Sequence, residues 1–187
     1  MEPIRRASLI KATIAEIGDV GSLEVTVSRI AKRAGMSSAL AHHYFGSKEA
    51  MFLAAMRHVL TVYGAEVRGA LAAAEGPEAR ARAVIRASFS AASFRREVVA
   101  AWLNFYVLAQ TQPEVRRLLL VYQNRLVSNL RHALRPLLGP RAPEVAASIA
   151  ALIDGAYLHA ALGSPLPDGA RAAARVESYL TQSLKGA

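Results

Sequence analysis

Cysteine is absent from the 187 residues, which excludes disulfides, thiolate metal sites and cysteine nucleophiles. Aromatics are scarce at 6%, with one Trp, so a place where rings gather stands out. There is no long uncharged apolar run and no basic segment followed by an apolar one at the N-terminus. A membrane span and a signal peptide are therefore not expected, and a cytoplasmic location is. Catalytic apparatus is missing as well. The histidines His42, His43, His58, His132 and His159 form no H-E-x-x-H pair, and the chain has neither a glycine-rich phosphate loop nor a nucleophile elbow. No enzyme activity, cofactor or metal is expected. Period-two alternation, internal repeats and low-complexity tracts are lacking too, while Ala and Leu abound and hydrophobic residues make up 53%. The fold class these features predict is all-α.

The spacing predicts about nine helices. The first runs from near Ile4 to Ile17, with Ala7, Ile10, Ile14 and Ile17 on one face and Gly18, Gly21 and Ser22 as punctuation. Two short helices follow, the second over Ser38–Phe45. Ser47 caps a long fourth helix that ends near Ala74, and Pro77 opens the fifth. A break over Ser88–Arg96 precedes a sixth helix, Glu97–Thr111. Pro113 opens the seventh, which Pro136, Gly139 and Pro140 close. Ala142–Leu162 and Asp168–Leu184 complete the series, separated by Pro165-Leu166-Pro167. Residues 1–47 are expected to form one domain and residues 48–187 another, helical one.

The net charge of +9 does not concentrate in one part, since residues 1–63 carry +3 and residues 64–187 carry +6. The stretch Thr26 to Lys48, TVSRIAKRAGMSSALAHHYFGSK, is nevertheless free of acids while holding Arg29, Lys32, Arg33 and Lys48. It reads as a helix-turn-helix, whose second helix enters the DNA major groove. Thr26 is placed to cap the first of these helices, and Val25 with Ile30 to form a hydrophobic staple. Gly35 permits the left-handed turn. Met36 plugs the space between the helices, and Ser37 caps the second. Local cations outweigh the global sum here, because phosphate attraction is short-ranged in salt. A Lys at a helix start opposes the helix dipole, a small cost that a phosphate would offset.

Aromatic residues gather in one other place. Trp102, Phe105 and Tyr106 stand at i, i+3 and i+4 on the sixth helix, so their rings share a face. Phe89 and Tyr157 are within reach of it. Such a cluster is either plain core or a cavity whose ring faces suit a quaternary ammonium. Asp154 interrupts the apolar run Val145–Leu162 and needs a partner if buried. That partner is either an Arg, within the chain or across a dimer interface, or a bound cation. Gly155 beside it implies close approach of another helix or a ligand.

The helix-turn-helix residues resemble the TetR family of one-component regulators. The shared pattern is Thr26, Ile30-Ala31, Ala34-Gly35-Met36-Ser37, Tyr44-Phe45 and Lys48, although His42 stands where the family often has Tyr. Further segments resemble the choline-responsive BetI-type branch. These are Pro3-Ile4-Arg5-Arg6, Leu9-Ile10, Ala12-Thr13, His43-Tyr44-Phe45, Met56-Arg57-His58, Trp102-Leu103, Arg125-Leu126, Ser128-Asn129-Leu130 and Ala151-Leu152-Ile153-Asp154-Gly155. Tyr157 departs from that branch, where a Trp is expected. The resemblance implies a homodimer formed through the last two helices, operator DNA as partner, choline as inducer, and control of glycine-betaine synthesis genes. Ser37, Ser38, Ala39 and Leu40 would approach base edges. Arg29, His42, His43, Tyr44 and Lys48 would lie along the DNA backbone, with Thr26 also among the DNA-binding residues. Phe89, Trp102, Phe105, Tyr106, Asp154 and Tyr157 would form the ligand site.

Overall fold

Prolines, hydroxyl caps and one aspartate stand at the starts of most of the helices. The structure, a computed structural model, describes residues 2–163 and 166–185. In chain order the helices are α1 (Glu2–Val20), α2 (Val27–Arg33), α3 (Ser38–Phe45), α4 (Lys48–Ala73), α5 (Pro77–Ser88), α6 (Arg96–Ala109), α7 (Pro113–Leu138), α8 (Ala142–Leu162) and α9 (Gly169–Lys185), with one 3-10 turn at Gly139–Arg141. No strand occurs among the described residues.

The hydroxyl caps form as read. Thr26, Ser37 and Ser47 accept from the N–H groups of Arg29, Leu40 and Ala50 at 3.2, 3.2 and 3.1 Å, each satisfying an otherwise orphaned donor. Pro77 and Pro113 occupy first turns, where no N–H is needed. Asp168 lies just ahead of α9 and accepts from Arg171 N–H at 2.9 Å. Gly35 takes φ +68°, which a side chain would resist.

Three expectations need correction. Gly18 does not end α1, which continues to Val20. A Cβ at Gly18 would fall 2.3 Å from Glu97 Cβ, so the glycine lets α1 lie against α6. Pro136 does not close α7 either, because the helix runs on to Leu138. Gly139 stops it at φ +52°, its N–H bonded to the Arg135 carbonyl. For Gly155, no other helix among the described residues comes within 4 Å of where a Cβ would lie, so the chain itself supplies no such close approach there. Pro165 lies outside the described residues.

The core is shared among layers. α1 packs on α2, α4 and α6, and α7 packs on α5, α6 and α8. α9 covers α5 and α8, where the Arg86 guanidinium meets Glu177 at 2.6 Å. Leu9, Ile17, Ile30, Met56, Phe105 and Ile149 are among the fully buried side chains. The first half of α4 is buried with the head helices, and its later turns run along the body.

Candidate nucleic-acid interface and aromatic site

The short α3 projects its leading residues. Only Ala41 is fully buried, while Ser37, Ala39, His42 and His43 are exposed and Ser38, Leu40 and Tyr44 are half-buried. Thr26 and Arg29 are exposed beside it. His42 Nδ1 sits 3.0 Å from the Gly46 carbonyl; a carbonyl only accepts, so this nitrogen carries the proton. His43 packs edge-on to Tyr44 with centroids 5.5 Å apart. Arg6 holds the end of α3 to α1. Its guanidinium donates to the Tyr44 carbonyl at 2.5 Å and lies 4.5 Å over the Phe45 ring.

The acid-free stretch does not stay free of acids in space. Glu16 on α1, only 5% exposed, receives Arg33 Nε at 2.6 Å and has Arg29 Nε 2.9 Å from its other oxygen. Arg33 also reaches Asp19. These contacts clamp α2 onto α1 and neutralise part of the positive field that the window implies. The Lys48 ammonium donates to the Leu23 carbonyl at 3.0 Å, which ties α4 to the α1–α2 loop. The cost of a Lys at that helix start is thus offset within the protein, and two of its three N–H donors remain.

In the body, Trp102 is the hub of the aromatic cluster and is 4% exposed. Its ring centroid lies 4.6 Å from Tyr122, 5.5 Å from Phe105, 5.8 Å from Tyr106 and 6.1 Å from Tyr157. Phe89 joins through Tyr157 at 6.1 Å and through Phe94 at 5.1 Å. Phe105 packs between Trp102 and Phe52 of α4, so it links the cluster to the helix that leaves the head. All six residues expected at the site are therefore in one neighbourhood.

Asp154 does not pair with an arginine among the described residues. Its carboxylate accepts from the Tyr106 hydroxyl at 2.8 Å. Burial raises its pKa above the usual carboxylate value, against the lowering effect of that hydrogen bond. Burial likewise pushes the phenols up, Tyr63 to about 12, with Tyr106, Tyr122 and Tyr157 also raised well above the usual phenol value. The rings therefore stay neutral, with their electron-rich faces intact. Tyr157 is locked in place: its hydroxyl donates to the Ser88 carbonyl at 2.6 Å, with the Ser93 carbonyl at 3.1 Å. A second carboxylate, Glu66, accepts from the Ser90 and Ser93 hydroxyls at 2.8 Å each.

Four of these residues escaped the sequence reading: Tyr63, Tyr122, Phe94 and Glu66. Tyr122 does carry a signal, because it lies on the apolar stripe Val115, Leu119, Tyr122, Leu126 of α7. Nothing in the spacing says that this stripe faces Trp102.

Comparisons with known proteins agree with this geometry. Residues 9–55 match the family model for bacterial regulatory proteins of the tetR family, and residues 77–185 match that for the C-terminal part of BetI-type transcriptional repressors. The HTH-type transcriptional regulator BetI of Brucella suis is 49% identical over 187 residues, covering 100% of this chain and 94% of that protein. The protein of the same name in Agrobacterium fabrum is 46% identical, covering 99% and 90%. Among solved structures, a transcriptional regulator from Pseudomonas aeruginosa PAO1 superposes with a TM-score of 0.77 at 26% identity, covering 97% of this chain and 90% of that one. A regulator from Saccharomonospora viridis, solved in complex with choline, superposes at 0.80 with 18% identity, covering 94% and 95%. The members of this family are transcriptional regulators and not enzymes. With a projecting α3, a helical body and full-length relatives of this kind, the chain belongs to the TetR family and is a BetI-type transcriptional repressor.

Proposed function

We propose that this repressor senses choline, and that a choline-bound body changes how two heads meet a palindromic operator upstream of glycine-betaine synthesis genes. The observation that carries the reading is the set Tyr106, Tyr122 and Tyr157 around Trp102, with the Asp154 carboxylate bonded to Tyr106. Neutral ring faces attract a quaternary ammonium by roughly 0.5 to 2 kcal/mol each, and the carboxylate supplies a counter-charge that no arginine among the described residues pairs with. The complex of the Saccharomonospora viridis regulator with choline supports the same ligand. The gene class follows from the resemblance to the BetI-type branch alone.

The division into residues 1–47 and 48–187 belongs to this proposal, as does a cytoplasmic location. So does the homodimer. The helical run Pro113–Leu162 contains an 18-residue window of mean hydropathy 1.6, of which only 33% is buried. On α8, Leu152, Leu158 and Leu162 are 42%, 47% and 75% exposed. A second α8, with α9 beside it, would cover them, and Gly155 would let the two helices approach closely. Pairing by a two-fold axis places the α3 helices on successive major grooves, about 34 Å apart or a multiple of it. Ser37, Ser38, Ala39 and Leu40 would face bases, with Thr26, Arg29, His42, His43, Tyr44 and Lys48 on the backbone. Ligand binding shifts operator affinity only as far as the ligand prefers one arrangement of the heads.

Calorimetric titration tests the ligand. Choline should bind the protein saturably, and Trp102→Ala should weaken it by about tenfold or more, since one lost ring contact approaches 1.4 kcal/mol. Operator binding without choline should survive that substitution. Unchanged choline affinity in Trp102→Ala would refute the aromatic site. Tighter binding of betaine aldehyde or a lipophilic cation would reassign the inducer to another cationic metabolite or drug.

A further inference from the structure

One opening lies beside the aromatic cluster. It is an open groove of about 770 Å³ between α4 and α7, which is within the usual range for whole ligand sites. Its floor is apolar, formed by Leu60, Val67, Leu118, Val121 and Leu126. Three exposed arginines line it, Arg57 and Arg68 from α4 and Arg125 from α7. The lining holds no Asp or Glu. None of the three guanidiniums forms a salt bridge among the described residues, unlike Arg29, Arg33, Arg82, Arg86 and Arg95. Gly64 makes room for one of them, since Arg68 Nη1 lies 3.4 Å from where its Cβ would be.

This lining is the reverse of a choline site. Three permanent positive charges repel a cation, and choline would fill only a small part of the volume. From Arg57 to Leu71 the α4 wall extends about 21 Å at 1.5 Å per residue, a length that suits an extended chain. Large apolar openings on a protein surface mark binding sites, and unpaired guanidiniums select carboxylates. We propose that the α4–α7 groove binds an amphipathic anion: an acyl chain along the apolar floor, its carboxylate held by the arginine rim. The groove meets the aromatic cluster at Tyr63 and Tyr122, and Tyr122 stacks 4.6 Å from Trp102. One groove wall is the helix that leaves the head at Lys48, so an acyl ligand preferring one position of α4 alters operator affinity, and operator alters acyl affinity by the same factor.

The test compares monomeric decanoate with decan-1-ol on the full chain, by calorimetry and by the fluorescence of Trp102. Decanoate should saturate one site per chain at least tenfold more tightly than decan-1-ol. The surface double variant Arg57→Gln with Arg125→Gln should lower decanoate affinity to that of the alcohol and leave choline titration unaltered. Equal binding of acid and alcohol, undiminished decanoate affinity in the double variant, or no saturable binding would overturn the proposal. So would a change of sedimenting mass in Val121→Glu, which would make the groove a contact between copies. Binding only to phosphatidylglycerol vesicles, and not to monomeric decanoate, would assign it to a membrane surface instead. Because choline is titrated separately, failure here leaves the cation reading intact, and failure there leaves this one.

Discussion

Asp154 is the residue whose chemistry is most exposed to test. A buried carboxyl with a raised pKa favours its protonated form in the folded chain. Its contribution to stability is therefore fully present below the unfolded pKa, near 3.8, and is lost as pH rises through the higher folded value. Above that folded value the ionised group weighs against the ligand-free fold, eased by the Tyr106 hydroxyl. A bound cation reverses the sign, because it favours the ionised form. Protons and a bound choline would then compete, and choline affinity should fall as pH is lowered through the raised folded pKa. Asp154→Asn should show weak choline binding with no such pH dependence, while its ligand-free thermal midpoint at pH 7 stays level or rises. A pH-dependent choline affinity persisting in Asp154→Asn would place the titrating group elsewhere.

Among the elements, α1 and α4 show what a helical glycine means in context. At Gly18 the α6 backbone is so near that an added methyl meets Glu97 at both Cβ and Cα, at 2.3 and 2.6 Å. Gly69 on α4 has nothing within 4 Å of its missing Cβ and a helical conformation. Gly18→Ala should destabilise by about 1 to 3 kcal/mol through forced separation of α1 from α6. Gly69→Ala should stabilise by roughly 0.5 to 1 kcal/mol by removing backbone freedom from the unfolded chain. Urea unfolding of both variants checks the pair; similar effects at the two sites would mean that α1 and α6 are not in that contact. The same α1 face carries Glu16, whose ion pairs with Arg29 and Arg33 hold α2 in place.

At the scale of the whole molecule, the proposed dimer makes the exposed apolar face of α8 the element that would set how two heads reach one operator. Leu158→Glu puts a charge into the proposed seam, at a side chain that is 47% exposed. Sedimentation should show the monomer mass at micromolar concentration, with operator affinity greatly reduced. Choline binding should remain. A dimer that persists in both Leu152→Glu and Leu158→Glu would move the interface away from α8.

The helices and their starts were open to a reader of the chain because their causes are local. A Ser or Thr oxygen caps the N–H three residues on, a proline occupies a first turn, and a left-handed turn takes Gly35. The projecting α3 with its caps is legible for the same reason, and so is the gathering of Trp102, Phe105 and Tyr106 on one face. What escaped depends on neighbours brought in from a distance along the chain. Gly18 looks like a stop until α6 lies on it, and the cationic window looks unopposed until Glu16 and Asp19 fold against it. Tyr63 and Tyr122 look like core until they stand between Trp102 and the α4–α7 groove. Hydrogen bonds within a turn are written in adjacent residues, whereas burial, ion pairing and cavities arise only when helices pack.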